Sequence, residues 1–503
     1  MIASNVPAFP DSVEKRVYQV IISRLDGVRI SEAQYRQRQF ELIEKGIGGF
    51  ILFGGVREEI KLFIAEMQSR SRIPLFIASD IERGVGQQVE GMTDFASQMA
   101  FAAAVDRSKE EDVDILHQAI EAISAEAKHI GINMPLIPVL DVNRDPDNPI
   151  ICTRAFSDDP ATAGWFGSRY IKTIEGQGVI SCAKHFPGHG DTSTDSHISL
   201  PVIRKTKDNL MDVDISPFRA AIEAGVSSIM IGHLSLPAMD PRPASLSRKI
   251  ITDLLRDELQ FQGLVLTDAL NMHALREFGD AGLECFKAGT DILLHPDDPD
   301  ATANTLLSAL EENRLYHNVL DTALKRIIKA KKRLRREATA AIDLETHSVL
   351  SESISQRAVT LVKYSAGLLP IGDFGKVHVI FAGEIKHFET SPLIDLTVHT
   401  RNATADDILL IALFTSVAAW KGSSGISTDE RERLTGLIRG AAHSVVVSFG
   451  SPYVLRYFKD ADVLIAAYDP SVQAQKVVMK CLRGEAPFAG RLPVHIPEVS
   501  PLG

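Results

Sequence analysis

The sequence is poor in cysteine, with only four in 503 residues. These four, Cys152, Cys182, Cys285 and Cys481, lie far apart and form no CxxC pair. Their spacing argues against a disulfide framework and against a structural zinc site. The sparse cysteines favour a protein of a reducing compartment, and we expect a cytoplasmic location.

A surplus of positive charge and a long apolar run are also missing. The chain has 54 lysines and arginines against 65 aspartates and glutamates, which gives a formal net charge of −11. Its one basic stretch, 325–336, alternates with apolar residues as a solvated amphipathic helix does. Residues 1–16 lack the apolar core of a signal peptide, and no run reaches membrane-spanning length. We therefore expect neither a nucleic-acid partner nor a membrane segment.

Short apolar segments alternate with amphipathic ones over the first two thirds of the chain. This alternation predicts parallel strands covered by helices. Seven or eight such units in about 300 residues fit a TIM-like (β/α)8 barrel, which usually has ~250 residues and tolerates insertions. The apolar segments are 49–55, 72–80, 134–142, 178–185, 227–234, 263–270 and 290–296.

A second series of apolar segments follows at 376–383, 407–414, 444–450 and 462–470. Helical patterns lie between the last three, so this part is expected to be a smaller α/β sandwich. The predicted organisation is a catalytic barrel over 1–340, a linker with the first elements of the next domain over 341–375, and a C-terminal α/β sandwich over 376–503.

Ionisable side chains follow several of the predicted barrel strands. In a barrel the carboxyl ends of all strands meet at one mouth, so these residues are expected to come together there. An aspartate after a strand can also simply cap the next helix, but six such strand ends together indicate a site. The residues are Asp80, Asp141, Lys184, His185, His233, Asp268 and His295.

The segment KHFPGHGDTSTDSH, 184–197, concentrates this chemistry. It holds three histidines, two aspartates and a lysine in fourteen residues. Because Pro187, Gly188 and Gly190 interrupt it, the whole segment is predicted to be a loop. The loop follows a predicted buried strand at 178–183. Loops at the ends of buried strands are where α/β enzymes carry catalytic groups.

This loop resembles the signature loop of the β-N-acetylglucosaminidases (β-N-acetylhexosaminidases) of glycoside hydrolase family 3. The similarity extends to 216–240, 243–270 and 469–497, and so to nearly the whole chain. Family members that are β-glucosidases lack the Asp-Ser-His ending of the loop. The resemblance implies a retaining glycosidase that needs no cofactor. Its expected substrate is a glycoside or muropeptide that contains N-acetylglucosamine, and its expected context is peptidoglycan turnover.

Cleavage of a glycosidic bond needs a carboxylate on one face of the sugar and a proton donor on the other. The resemblance places the covalent nucleophile at Asp268, which follows a predicted strand. His197 is the candidate proton donor, since a histidine with an unperturbed pKa of ~6.5 needs little tuning for this task. Asp195, two residues earlier, can accept a hydrogen bond from the ring and stabilise the imidazolium.

The resemblance also implies four residues that hold the sugar, namely Asp80, Arg154, Lys184 and His185. His233 is expected near the nucleophile.

One position departs from the family pattern. Where the family has an arginine eight residues after the strand-end aspartate, this chain has Gln88. Arg83 or Glu82 could supply that contact in another way. The departure leaves other β-glycosidase specificities of the family open. A β-glycoside phosphorylase is a separate alternative, because a histidine repels phosphate less than a carboxylate does.

Two alternatives come from other classes. A metal-dependent barrel hydrolase could use His185, His189, Asp191, Asp195 and His197 as zinc ligands. The Phe-Pro-Gly sequence between the first two histidines is incompatible with the helix of a zincin, however. A sugar-binding protein without activity is the second alternative, and the intact set of Asp268, Asp195 and His197 argues against it.

Overall fold

A computed structural model of the chain describes residues 10–334, 341–365, 367–396, 407–415, 417, 421–423 and 425–499. The predicted domain boundary at 340 and the outermost residues of both predicted domains lie outside these ranges. No helix within the described ranges is long and apolar enough to cross a bilayer.

Eight parallel strands form a ring in the first part of the chain. Five are hydrogen-bonded in the order β4-β3-β2-β1-β8, and three in the order β5-β6-β7. Bridges between Val139 and Lys184 and between Leu266 and Ile292 join the two sheets and close the ring. The strands are β1 (Ile21–Asp26), β2 (Gly49–Phe53), β3 (Phe76–Ser79), β4 (Met134–Pro135), β5 (Cys182–Phe186), β6 (Ser228–Ile231), β7 (Leu264–Thr267) and β8 (Leu293–Leu294).

The predicted apolar segments contain six of these strands and overlap the seventh, β5, up to His185, while β1 was missed. Strands β3, β6 and β7 are buried at every residue, as expected where helices cover one face of a parallel sheet and the barrel interior the other. In β1, Ser23 and Arg24 interrupt the apolar run, so its sequence lacks that signal.

The prediction that all of 184–197 is a loop was wrong at its start. Lys184, His185 and Phe186 belong to β5. The Lys184 carbonyl accepts from Leu140 N at 2.7 Å, and the Phe186 carbonyl accepts from Gly232 N at 2.9 Å. Pairing with both neighbouring segments therefore keeps these residues extended up to Pro187.

Helices surround the ring, and their ends carry the expected signals. At the start of α6, Asp159 accepts from Thr162 N and Pro160 occupies the first turn. Gly131 ends α5 in the left-handed conformation, with φ 97°. The helices are α1 (Val13–Tyr18), α2 (Ala33–Lys45), α3 (Arg57–Arg70), α4 (Gln98–Ala104), α5 (Glu110–Ile130), α6 (Pro160–Gly176), α7 (Lys207–Asn209), α8 (Ser216–Glu223), α9 (Ala281–Ala288), α10 (Pro299–Glu311) and α11 (His317–Lys331), with π-helical segments Leu210–Asp214 and Lys249–Glu258.

The C-terminal part is a separate five-stranded sheet in the order β10-β11-β12-β13-β9. Four strands are parallel, and β9 pairs with β13 in the antiparallel direction. The predicted fold class, a TIM-like barrel followed by a smaller α/β sandwich, is confirmed. The elements are α12 (Leu344–Ala358), β9 (Thr360–Tyr364), β10 (Val377–Gly383), β11 (Ile408–Thr415), α13 (Thr428–Gly440), β12 (His443–Gly450), β13 (Val463–Ala466) and α14 (Val472–Leu482).

The sandwich packs against the barrel through polar contacts near the barrel mouth. Ser97 Oγ donates to the carbonyl of Tyr468 at 3.3 Å. The hydroxyl of Tyr453 donates to the carbonyl of Asn143 at 3.0 Å. As a result, the segments that follow β12 and β13 lie over the barrel mouth.

Candidate active site

A cavity of about 680 Å³ lies between the barrel mouth and the sandwich. This volume is within the ~300–1,000 Å³ typical of small-molecule sites. Of the residues predicted at the site or at the barrel mouth, those that line it are Asp80, Arg154, Lys184, His185, His197, Asp268 and His295. The sandwich contributes, among others, His387, Thr415, Gly450 and Asp469.

Asp268 follows β7 directly and is held by the backbone. Its N–H donates to the Ile231 carbonyl at 2.9 Å, and its Oδ1 accepts from Ala269 N at 2.8 Å. Burial alone would raise the pKa of Asp268, but His185, His233 and His197 together lower it to about 2. The carboxylate is therefore ionised at neutral pH, as a nucleophile must be.

His197 is oriented by Asp195. The Nδ1 atom of the ring lies 3.0 Å from Asp195 Oδ1, and the same oxygen accepts from the His197 backbone N–H at 2.8 Å. Asp195 is only 3% exposed and lies behind the cavity wall. Gly422 N, from the sandwich, approaches its other oxygen at 3.4 Å. Since Nδ1 faces the carboxylate, proton exchange with a substrate falls to Nε2.

Lys184 contacts two carboxylates at the opposite wall, and it shares one of them, Glu82, with Arg154. Lys184 Nζ lies 2.5 Å from Asp80 Oδ1 and 2.7 Å from Glu82 Oε1. Arg154 donates two hydrogen bonds to Glu82, at 2.8 and 2.7 Å. Burial would raise the pKa of Glu82, but Arg154 and Lys184 hold it well below its usual range. With its side chain 31% exposed, Asp80 can accept a hydrogen bond from a sugar hydroxyl.

From the sequence, Glu82 is expected only as a possible substitute for the arginine that Gln88 replaces. The structure gives it another task, because its carboxylate holds both cations of this wall, Lys184 and Arg154. The Asp-x-Glu spacing after a strand was the available signal, but sequence alone could not show that Glu82 turns back towards Arg154.

Asp141 and His233 support the site from behind. Asp141 Oδ2 lies 2.7 Å from His185 Nδ1, and its Oδ1 accepts from the backbone N–H of His189 at 2.7 Å. The ring of His233 lies 2.9 Å from Ser245 Oγ and 3.2 Å from the Ala269 carbonyl. His233 is completely buried, so it positions the segment around Asp268 and does not line the cavity.

Gln88 braces the backbone at this wall. Its Oε1 accepts from Gly54 N at 3.3 Å, and its Nε2 donates to the Asp80 carbonyl at 3.1 Å. Arg83 points to the sandwich instead, 3.7 Å from Asp469 and 3.5 Å from Asp94.

Two further residues of the 184–197 segment shape it. His189 Nε2 lies 3.0 Å from Ser196 Oγ, and burial lowers the pKa of His189 to about 4. Asp191 pairs with Lys205 at 2.7 Å. No group of three or more His, Cys, Asp or Glu side chains in the described ranges is arranged to hold a metal ion.

The site thus has an ionised carboxylate at the end of β7 and a carboxylate-oriented histidine beside the same cavity. Strands β3 and β7 are four apart in an eight-stranded ring and lie on opposite sides of the mouth. Asp268 and Asp80 therefore lie on opposite sides of the cavity. This arrangement can support displacement at an anomeric carbon with protonation of the leaving group.

Relatives have been found by sequence. A β-hexosaminidase A from Pseudoalteromonas piscicida is 35% identical over 391 residues, which are 69% of this chain and 65% of that protein. This chain thus spans just under two thirds of that relative's length. A β-N-acetylglucosaminidase/β-glucosidase from Cellulomonas fimi is 28% identical over 515 residues, covering 89% of this chain and 88% of that protein.

The solved structure of a glycoside hydrolase family 3 β-N-acetylglucosaminidase from Paenibacillus sp. str. FPU-7 has the same fold. It superposes with a TM-score of 0.81 at 24% identity, covering 97% of this chain and 100% of that one. The family model for the N-terminal domain of glycosyl hydrolase family 3 matches residues 12–330. Because that match covers more than half of the sequence, the resemblance is confirmed and the chain belongs to glycosyl hydrolase family 3.

Proposed function

We propose that this protein is a retaining β-N-acetylglucosaminidase that releases terminal β-linked N-acetylglucosamine. The observation that carries the proposal is the pair of groups on one cavity, namely the ionised Asp268 and the His197 ring bonded to Asp195. The names of the relatives from Pseudoalteromonas and Cellulomonas support the same activity.

In the first step Asp268 attacks the anomeric carbon and forms a covalent glycosyl-enzyme. Its Oδ1 is held by Ala269 N, so the attacking atom is Oδ2. The bond to the leaving oxygen breaks, and His197 Nε2 gives that oxygen its proton. In the second step His197 takes a proton from water, whose oxygen attacks the anomeric carbon and releases Asp268 as a carboxylate. His197 is thus an imidazolium before the first step, a neutral imidazole in the glycosyl-enzyme, and an imidazolium again after the second step, and Asp195 stabilises the charged form.

The substrate context is part of the proposal. We place the enzyme in the cytoplasm, where it would act on peptidoglycan fragments such as muropeptides and take part in peptidoglycan turnover. The chain has only four cysteines and all of them are buried, which suits a reducing compartment. Cell fractionation with an antibody would test the location, and purified muropeptides as substrates would test the context.

A β-glucosidase or a glycoside phosphorylase of the same family is the second candidate. A glucosidase is favoured by Gln88, whose amide bonds the backbone of Gly54 and Asp80, and the Cellulomonas relative is named for both glycosidase activities. A phosphorylase rests on His197, because a histidine repels phosphate less than a carboxylate does.

The deciding experiment is a panel of nitrophenyl β-glycosides, N-acetylglucosaminide, glucoside and xyloside, with and without inorganic phosphate. We expect the highest kcat/KM for the N-acetylglucosaminide, with the free sugar as product in both conditions. A preference for the glucoside would overturn the substrate assignment. A sugar 1-phosphate as the main product would replace hydrolysis by phosphorolysis.

A further inference from the structure

Strand β1 brings an arginine into the cavity. Arg24 pairs in register with Ile51 of β2, and both residues line the cavity. The Arg24 guanidinium carbon lies 4.8 Å from the centroid of the Phe53 ring, and its Nη2 lies 3.3 Å from Asp26 Oδ2. Its side chain is still 47% exposed, so the guanidinium has donors available to a ligand.

Phe53 and His295 form the rest of this part of the wall. The His295 ring lies 5.7 Å from the Phe53 ring, centroid to centroid. Burial and the charge of Arg24 lower the pKa of His295 to about 4, so its ring is neutral at physiological pH. The positive charge of this three-residue wall is therefore that of Arg24.

Gln88 lies beside the same wall. Its Oε1 accepts a hydrogen bond from the N–H of Gly54, which directly follows Phe53. Its other amide atom is bonded to the Asp80 carbonyl. With both ends of the amide engaged by the backbone, Gln88 offers little to a sugar. Arg24 is placed to supply the cationic contact there.

The direction of the sugar follows from the ring of strands. With its anomeric carbon at Asp268, after β7, the pyranose points its far end towards Asp80, after β3. That far end carries the substituents at C4 and C6. Arg24 faces this space from β1, leaning over Phe53 of β2.

We propose that Arg24 is a specificity-determining residue whose guanidinium donates to a hydroxyl at C4 or C6 of the terminal sugar, beside Asp80. This inference rests on the proposed glycosidase function and extends it. It makes Arg24 the residue that distinguishes a sugar with its C4 and C6 hydroxyls from a sugar that lacks one of them.

The test combines an enzyme variant with altered substrates. Arg24→Ala is compared with wild type on nitrophenyl β-N-acetylglucosaminide and on its 4-deoxy and 6-deoxy analogues. Loss of a charge-assisted hydrogen bond to a hydroxyl is expected to lower kcat/KM about 10- to 100-fold on the parent substrate. On the analogue that lacks the contacted hydroxyl, the same variant should lose about threefold or less, because that bond is already missing.

Arg29→Ala is the matched control. Arg29 also lies over an aromatic ring, that of Tyr35 at 4.7 Å, and also pairs with a carboxylate, that of Glu32 at 2.9 Å, but it lies outside the cavity. We expect kcat/KM of this variant to stay within about twofold of wild type. Melting temperatures of both variants, and of Arg24→Gln as a second Arg24 variant, identify any effect of folding.

The proposal is overturned if both Arg24 variants keep full kcat/KM, or if they lose equally on the parent and both deoxy analogues. Failure of the underlying function gives a different result, since wild type would then not cleave the parent glycoside. In that case wild type and the Arg24 variants are compared on whichever glycoside the enzyme cleaves and on the deoxy analogues of that glycoside.

Discussion

Lys205 ties Asp191, in the 184–197 segment, to the barrel wall. Its Nζ lies 2.7 Å from the Asp191 carboxylate within the loop and 2.8 Å from the buried Asp214 at the end of a π-helical segment. Gly188 permits this approach, because a Cβ atom there would lie 2.7 Å from the Cβ atom of Asp214. His197 is six residues further along the same loop, so its position depends on this anchor.

We expect Lys205→Met to impair proton donation more than nucleophilic attack. The variant should lose about tenfold in kcat/KM on a disaccharide, whose leaving group needs the proton, and much less on a nitrophenyl glycoside. Lys207→Met, at an exposed position two residues away, is the control and should behave as wild type. An equal loss on both substrates would indicate a general structural role for Lys205.

Asp268→Ala should abolish formation of the glycosyl-enzyme, with a fall in kcat of about 10⁴-fold or more. Mass spectrometry after treatment with a 2-fluoro glycoside should find the label on Asp268 in wild type and no label in the variant. Added azide should restore turnover of an activated substrate to the variant and give the α-glycosyl azide, because the small anion attacks in place of the carboxylate. A label on another residue would refute the assignment.

His197→Ala should show a strong dependence on the leaving group. Removal of a general acid typically costs ~10²–10⁴-fold, and we expect losses in this range for a disaccharide. A substrate with an acidic dinitrophenol departs without much help, so its glycosylation rate should fall less than about tenfold. Pre-steady-state burst kinetics separate this step from deglycosylation. Equal losses for the two leaving groups would contradict the acid role of His197.

Asp195→Ala should fall between wild type and His197→Ala on the disaccharide. The imidazole remains in this variant, but it loses the carboxylate 3.0 Å from Nδ1 that orients the ring. Asp195→Asn is the matched control for shape, and we expect it to retain part of the orientation but not the stabilisation of the imidazolium. If Asp195→Ala were as active as wild type on the disaccharide, Asp195 would not support His197 as proposed.

The pKa of Asp268 predicts the acidic side of the pH profile. Burial opposes the shift, yet the three neighbouring histidines lower this pKa from 3.8 to about 2. Because the ionised form is the nucleophile, its reactivity should be lost only as pH falls through the lowered value. Trapping by a dinitrophenyl 2-fluoro glycoside should therefore stay constant from about pH 8 to about pH 4. A midpoint near 5 in this trapping assay would show that Asp268 is not so strongly stabilised as a carboxylate.

Much of the fold and of the site could be predicted from local sequence. Runs of consecutive apolar residues signal buried parallel strands because both faces of each strand are covered. The 184–197 segment reveals itself because it concentrates ionisable residues between prolines and glycines. Asp80, Lys184, His185 and Asp268 could be assigned to one mouth since the carboxyl ends of parallel strands converge.

The remaining features depend on contacts between distant segments, which no local pattern encodes. Strand β1 was missed because Ser23 and Arg24 look polar in sequence, and only pairing with β2 and β8 makes them part of the ring. The part of Glu82 in holding Arg154, the brace formed by Gln88 and the sandwich residues over the mouth emerge only in three dimensions. The sequence thus determined the elements and the chemical groups, and tertiary packing decided which groups face the cavity, because side-chain direction is set by register and by the neighbours each strand acquires.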